Sequence, residues 1–116
     1  MMRGTQTFGG GSAVKTATIT DFFSDGAVWY KETADMVFVL LKDLVLNKST
    51  AGAGSSVFAT GLPQVSGAHV FVLMDYEGKR FIRCSYKADG KLYIHYPNTT
   101  EPSGVQFYGE AFAFKK

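Results

Sequence analysis

Apolar residues along this chain fall into short runs of strand length, each bounded by Gly, Asp, Asn, Ser or Pro. The most telling stretch is 38–63. Phe38-Val39-Leu40-Leu41 leads through a Gly/Ser/Ala-rich crossing to Val57-Phe58-Ala59-Thr60, and Gly61-Leu62-Pro63 closes it as a corner. That order predicts two strands joined by a loop of small residues. Upstream, residues 14–20 are rich in Thr, Val and Ile, which pack well on a pleated surface. Ser24-Asp25-Gly26 reads as a turn, and 27–32 follows as a strand carrying Trp29 and Tyr30. Period alone does not separate a buried strand from a helix over 35–42, and 40–46 could extend helically. The Val/Phe content and the flanking turns favour a strand.

The second half repeats the pattern more plainly. Residues 68–74 form a strand, Asp75-Tyr76-Glu77-Gly78 a hairpin turn, and 79–87 the partner strand. Ala88-Asp89-Gly90-Lys91 carries the Asp-Gly pair of a type I′ turn, whose twist suits two antiparallel strands. Residues 92–96 make the next strand, 98–104 a polar loop, and 105–114 a long final strand. The expected fold is all-β, an antiparallel β-sandwich or jelly roll of about eight strands. Residues 1–13, with Gly9-Gly10-Gly11-Ser12, read as a flexible arm or linker, and 14–116 as one sandwich domain.

Alternation assigns faces. On 79–87, Ile82, Cys84 and Tyr86 share a face with Arg80 and are expected in the core; Lys79, Phe81, Arg83, Ser85 and Lys87 lie opposite. On the last strand Val105, Phe107, Gly109, Ala111 and Ala113 oppose Gln106, Tyr108, Glu110, Phe112 and Phe114. Large apolar groups stand on both sides, so this strand is either sandwiched or part of a subunit contact. Phe107, Phe112 and Phe114 are its candidate interface residues.

Composition narrows the picture further. Thirteen Gly, ten Phe and six Tyr against three Pro suit strands and turns. A formal charge of +2 is too small to point to nucleic acid or an acidic membrane as partner. Cys84 is the single cysteine, which excludes an intrachain disulfide and a cysteine metal cluster, and leans towards synthesis in a reducing compartment. The apolar run 36–46 is interrupted by Lys42 and Asp43 and falls short of the roughly 20 residues a bilayer span needs. No signal peptide is visible, so the domain is expected to be soluble, with no membrane insertion.

Candidate chemistry is sparse. His69 and His95 have no partner at metal-ligand spacing, and His95 suits a solvent-facing or core-edge position. Asp75 and Glu77 lie on one side of an extended segment, roughly 7 Å apart. That is within the range of a hydrolytic carboxylate pair, but acids beside Gly78 at a hairpin tip are explained by turn chemistry. No Ser-His-Asp arrangement emerges from the spacing, and the Gly-rich arm lacks the Lys of a phosphate loop. Cys84 reads as a small buried hydrophobe. Asn47-Lys48-Ser49 and Asn98-Thr99-Thr100 match the glycosylation pattern by coincidence, given no signal peptide. No catalytic residue, metal or cofactor is expected.

Two surface features remain. Lys79, Arg83 and Lys87 with Phe81 make a basic stripe of the kind that binds single strands in small barrels, although a solvated strand face that also discourages edge pairing is the favoured explanation. Turn-proximal aromatics, namely Trp29, Tyr30, Tyr76, Tyr93, Tyr96 and Tyr108, combine a flat apolar face with a polar handle, which suits sugar rings and protein interfaces.

Trp29-Tyr30-Lys31, the run 36–46, Gly52-Ala53-Gly54-Ser55, Phe58-Ala59-Thr60-Gly61-Leu62-Pro63, the Ala88-Asp89-Gly90-Lys91 hairpin and the aromatic final strand follow one another in a familiar order. Over 27–114 the chain resembles the C-terminal head domains of phage and prophage tail-fibre or baseplate receptor-binding proteins. It departs from them where Gly61 splits the usual Thr-Leu-Pro, and where Gln64-Val65-Ser66-Gly67 follows in place of Gly, an aromatic and Arg-Pro. The resemblance implies a non-enzymatic head on the virion surface, made in the host cytoplasm, assembled as a homotrimer on the rest of a fibre or baseplate, and binding host-surface saccharide. Trp29, Asp75, Tyr76, Tyr93, His95, Tyr96 and Asn98 are then the candidate ligand residues. A structural virion module without its own ligand, for trimerisation or capsid decoration, is the alternative, and a small nucleic-acid-binding barrel a more distant one.

Overall fold

The structure, a computed structural model, describes residues 13–47, 54–96 and 103–116. Residues 1–12 of the arm expected over 1–13, and most of the polar loop, Asn98 included, lie outside those residues. Among the described residues nine strands follow in chain order: β1 Lys15–Thr16, β2 Thr18–Ile19, β3 Phe23–Glu32, β4 Met36–Leu46, β5 Gly54–Thr60, β6 His69–Asp75, β7 Phe81–Tyr86, β8 Leu92–Tyr96 and β9 Gln106–Phe114. All neighbours pair antiparallel, in the order β1-β3-β4-β9-β6-β7-β8-β5-β2. The two ends of that order, β1 and β2, are separated only by Ala17, so the sheet nearly closes on itself. A strand that changes partner at such a bend forms the corner of a flattened barrel. The opposite corner is the short β6–β9 contact, Met74↔Tyr108 and Asp75↔Phe107.

Inward residues alternate along each strand and meet in one core. Val37, Val39 and Leu41 of β4 share one buried cluster with Leu73, Ile82, Cys84, Leu92 and Ile94, with Phe58, Tyr86 and Phe107 the largest side chains fully buried. The apolar alternation on β4 slips by one between Leu41 and Leu44. A bulge at Lys42-Asp43 absorbs the slip, so Leu44 and Leu46 also point inward. Residues 40–46 are thus strand throughout, not helix.

Ser24-Asp25-Gly26 is not a turn. It is the matching irregularity inside β3, where Gly26 takes φ 107° and lies so close to Asp43 that a Cβ would stand 2.4 Å from the Asp43 carbonyl oxygen. Glycine signals a bulge as readily as a turn, and here two bulges face each other.

The 88–91 hairpin also differs in type. A type I′ turn needs positive φ at both central residues, but Asp89 keeps a negative φ and Gly90 alone is positive at 79°. Gly90 N–H donates to Lys87 O at 3.0 Å, Lys87 N–H to Lys91 O at 3.1 Å, and the Asp89 carboxylate accepts the Lys91 N–H at 3.0 Å. This is a turn followed by a left-handed glycine, held by the aspartate side chain.

The Gly61-Leu62-Pro63 corner closes one end of the core. Leu62 and Val65 are buried, and the buried Tyr86 hydroxyl donates to Pro63 O at 2.6 Å. At the same end of the barrel, where Val65 bridges to Lys115, Glu32 joins Lys15 of β1 at 3.4 Å and Lys115 at 3.0 Å.

Candidate functional site

Three surfaces hold the predicted residues other than Phe107, Tyr96 and Asn98, and the fold does not bring them together. The first is the outer face of β1-β3-β4-β9. Residues opposite each other in an antiparallel pair share a face, so the register alone builds it. One row runs Trp29, Leu40, Glu110, and the next runs Lys31, Phe38, Phe112, with Met36 opposite Phe114 beyond. Phe112 is 63% exposed and Phe114 57%, with Phe38 and Leu40 close to half. Trp29, Phe38, Leu40 and Phe112 line an open groove of about 710 Å³. Lys31 Nζ stands 5.9 Å from the centroid of the Phe38 ring.

Phe107, grouped with Phe112 and Phe114 by sequence, separates from them. It is fully buried in the core, as its place on the opposite face of β9 requires, and it offers nothing to a neighbouring subunit.

The second surface is the outer face of β6-β7-β8-β5. Val72, Arg83, His95 and Ser55 form one row, and Val70, Ser85, Tyr93 and Val57 the next. Tyr93 and His95 therefore do share a face. Ser85 Oγ and His95 Nε2 are hydrogen-bonded, and Ser85 is buried. Burial, with the Arg83 and Lys87 charges beside it, pushes the His95 pKa below the ordinary histidine value. A neutral imidazole against a serine hydroxyl is half of a nucleophilic arrangement. The acid of the adjoining turn is committed elsewhere, however: Asp89 accepts the Tyr93 hydroxyl at 2.6 Å as well as the Lys91 amide. Lys87 Nζ lies 4.2 Å from the Tyr93 ring centroid, a cation–π contact. Tyr96 ends β8, opposite Gly54.

The basic stripe is only partly available. Lys79 lies in the turn before β7 and contacts Glu77 at 3.8 Å, while Lys87 is seated on Tyr93.

The third surface is the β6–β7 turn. Asp75 is nearly buried, and its Oδ1 accepts the main-chain N–H groups of Lys79 at 2.7 Å and Arg80 at 2.9 Å. Those bonds, Arg80 first, hold its carboxyl below the usual range. The carboxylate fastens the hairpin and does not point out to a ligand. Tyr76, next along, is 84% exposed, and its ring centroid is 6.3 Å from that of Tyr108, tilted 54°. The single Tyr108 hydroxyl proton is shared between Gln106 Oε1, at 3.0 Å, and the Asp43 carboxylate, which pushes the phenol pKa up. Sequence reading missed Asp43 and Gln106. The signal that could have found Asp43 is the slip in apolar alternation between Leu41 and Leu44.

Among the described residues no group of three His, Cys, Asp or Glu side chains is placed to hold a metal ion. No protein-family model matches this chain, and no curated protein matches it.

Proposed function

We propose that this domain is a non-enzymatic head of a phage-type fibre or baseplate that assembles as a homotrimer and binds host-surface saccharide. The observation that carries the reading is the outer face of β3, β4 and β9. Phe38, Leu40, Phe112 and Phe114 stand on it at 43 to 63% exposure, and the first three line a groove that also takes in Trp29. Monomeric domains rarely leave such a contiguous apolar band uncovered, and each large apolar side chain removed from water contributes about 1.5 to 3 kcal/mol. Assembly covers the band. Several weak sites presented on one rigid fibre then bind with an affinity raised by effective concentration.

A structural module without its own ligand shares the assembly and lacks the binding. A printed glycan array probed with the wild-type domain separates the two: reproducible binding to a defined set of glycans supports the head, and a blank array with an intact oligomer supports the structural module. A nucleic-acid-binding barrel draws less support, because two of the three cations in the stripe already have partners on the protein.

A further inference from the structure

We propose that Tyr76, Tyr108, Asp43 and Gln106 form a binding site for a neutral pyranose ring. This rests on the saccharide-binding reading and locates it at one corner of the barrel.

Three elements distant in sequence build the site, and the register explains how. Tyr108 pairs with Met74 across the β6–β9 corner. Tyr76 lies two residues beyond Met74, on the same face, so its ring comes to stand beside that of Tyr108. On the other side of β9, the β4 partners run Leu41↔Gly109 and then Leu44↔Phe107. Tyr108 is the residue between, and the bulged pair Lys42-Asp43 faces it. The bulge thereby delivers a carboxylate to the Tyr108 hydroxyl. Gln106, two residues before Tyr108 and on the same face, adds its amide.

The core needs a bulge here, but it does not need a carboxylate. Asp43 takes φ 54°, the left-handed region that glycine or asparagine occupies more easily, and no other described non-glycine residue does so. Such a conformation is strained, and strained residues of this kind gather at binding sites. The bulge lets Leu44 and Leu46 reach the core, but the Asp43 side chain itself is exposed and adds nothing to that packing.

The chemistry fits one ligand class. The exposed Tyr76 ring offers a flat apolar face to the C–H side of a sugar, and its tilt against Tyr108 leaves that face open. A carboxylate and a carboxamide next to it supply acceptors and donors for adjacent hydroxyls. Asp43 disfavours an anionic sugar by like-charge repulsion, which selects neutral rings.

Saturation-transfer NMR on the full chain tests this, with methyl glycosides of glucose, galactose, mannose and N-acetylneuraminic acid as probes. The expected result is transfer to at least one neutral glycoside and none to the acidic one. Tyr76→Ala should abolish that transfer, and Asp43→Asn, which keeps the left-handed backbone accessible, should weaken binding by about tenfold. Both positions are exposed, and unchanged amide spectra confirm that the variants fold. Neutral binding that survives both substitutions overturns this site while leaving the saccharide-binding head intact. Transfer only to the acidic glycoside overturns it as well. Absence of transfer to every probe, together with a blank glycan array, removes the site and the saccharide reading together.

Discussion

The main-chain N–H of Leu62 donates to the carbonyl of Gly90 at 3.1 Å, and the Leu62 carbonyl oxygen lies 2.3 Å from where a Cβ on Gly90 would begin. The Gly-Leu-Pro corner and the Asp-Gly hairpin, separate signals in the sequence, are therefore one contact in the fold. Gly90 needs its glycine twice over, for φ 79° and for this close approach. Gly61 needs it once, since φ is 87° but nothing lies within 4 Å. Gly90→Ala should lower unfolding free energy by about 3 kcal/mol and Gly61→Ala by about 1 kcal/mol. Denaturant midpoints at constant slope check the difference; equal losses would remove the contact from the account.

The Tyr86 hydroxyl is the polar counterpart of that closure. Tyr86→Phe keeps the ring in the core but leaves the Pro63 carbonyl without its donor. A loss of about 1 to 2 kcal/mol is expected in the same measurement. A neutral outcome would mean that water replaces the bond.

Glu32 links β1, β3 and the residues after β9. The Lys115 ammonium, then Lys15, holds its carboxyl below the ordinary value of 4.5. A carboxyl lowered in the folded state contributes stability above the unfolded pKa, and that contribution disappears as pH falls through the folded one. Stability measured from pH 7 downwards should therefore fall more steeply below about pH 4.5 in the wild type than in Glu32→Gln. Parallel curves for the two proteins contradict the linkage.

Cys84 is fully buried in β7, and burial pushes its thiol pKa far up. An aromatic disulfide reagent at neutral pH should label it only through unfolding, about a thousandfold or more slower than in denaturant. Prompt labelling of the native protein would show that β7 opens locally.

The class of fold is legible in the sequence because alternation reports burial directly. Ile82, Cys84 and Tyr86 point inward as their spacing requires, and β8 has the bounds that its flanking turns suggest. What the pattern does not convey is how a slip in alternation is resolved. Ser24-Asp25-Gly26 and Lys42-Asp43 look like a turn and an interruption, yet they are paired bulges in two long strands. The candidate site hides for the same reason. Asp43, Tyr76 and Tyr108 meet only because the bulge and the β6–β9 corner coincide, and neither is a local property of the chain. Asp75 shows the reverse: its residue type suggests a ligand, while its neighbours claim the carboxylate for the turn. Phe107 and Phe112 stand an odd number of residues apart along β9, which sends one into the core and the other into solvent.

Assembly through the outer face of β3, β4 and β9 is the central claim, and sedimentation equilibrium tests it most directly. The wild-type domain should sediment at three times its 12.6 kDa chain mass. The Phe38→Lys/Phe112→Lys variant, altered only at exposed positions, should sediment as a monomer that still unfolds cooperatively, at a lower thermal midpoint than the trimer. A wild-type monomer at every concentration, or a variant that remains trimeric, would contradict the account.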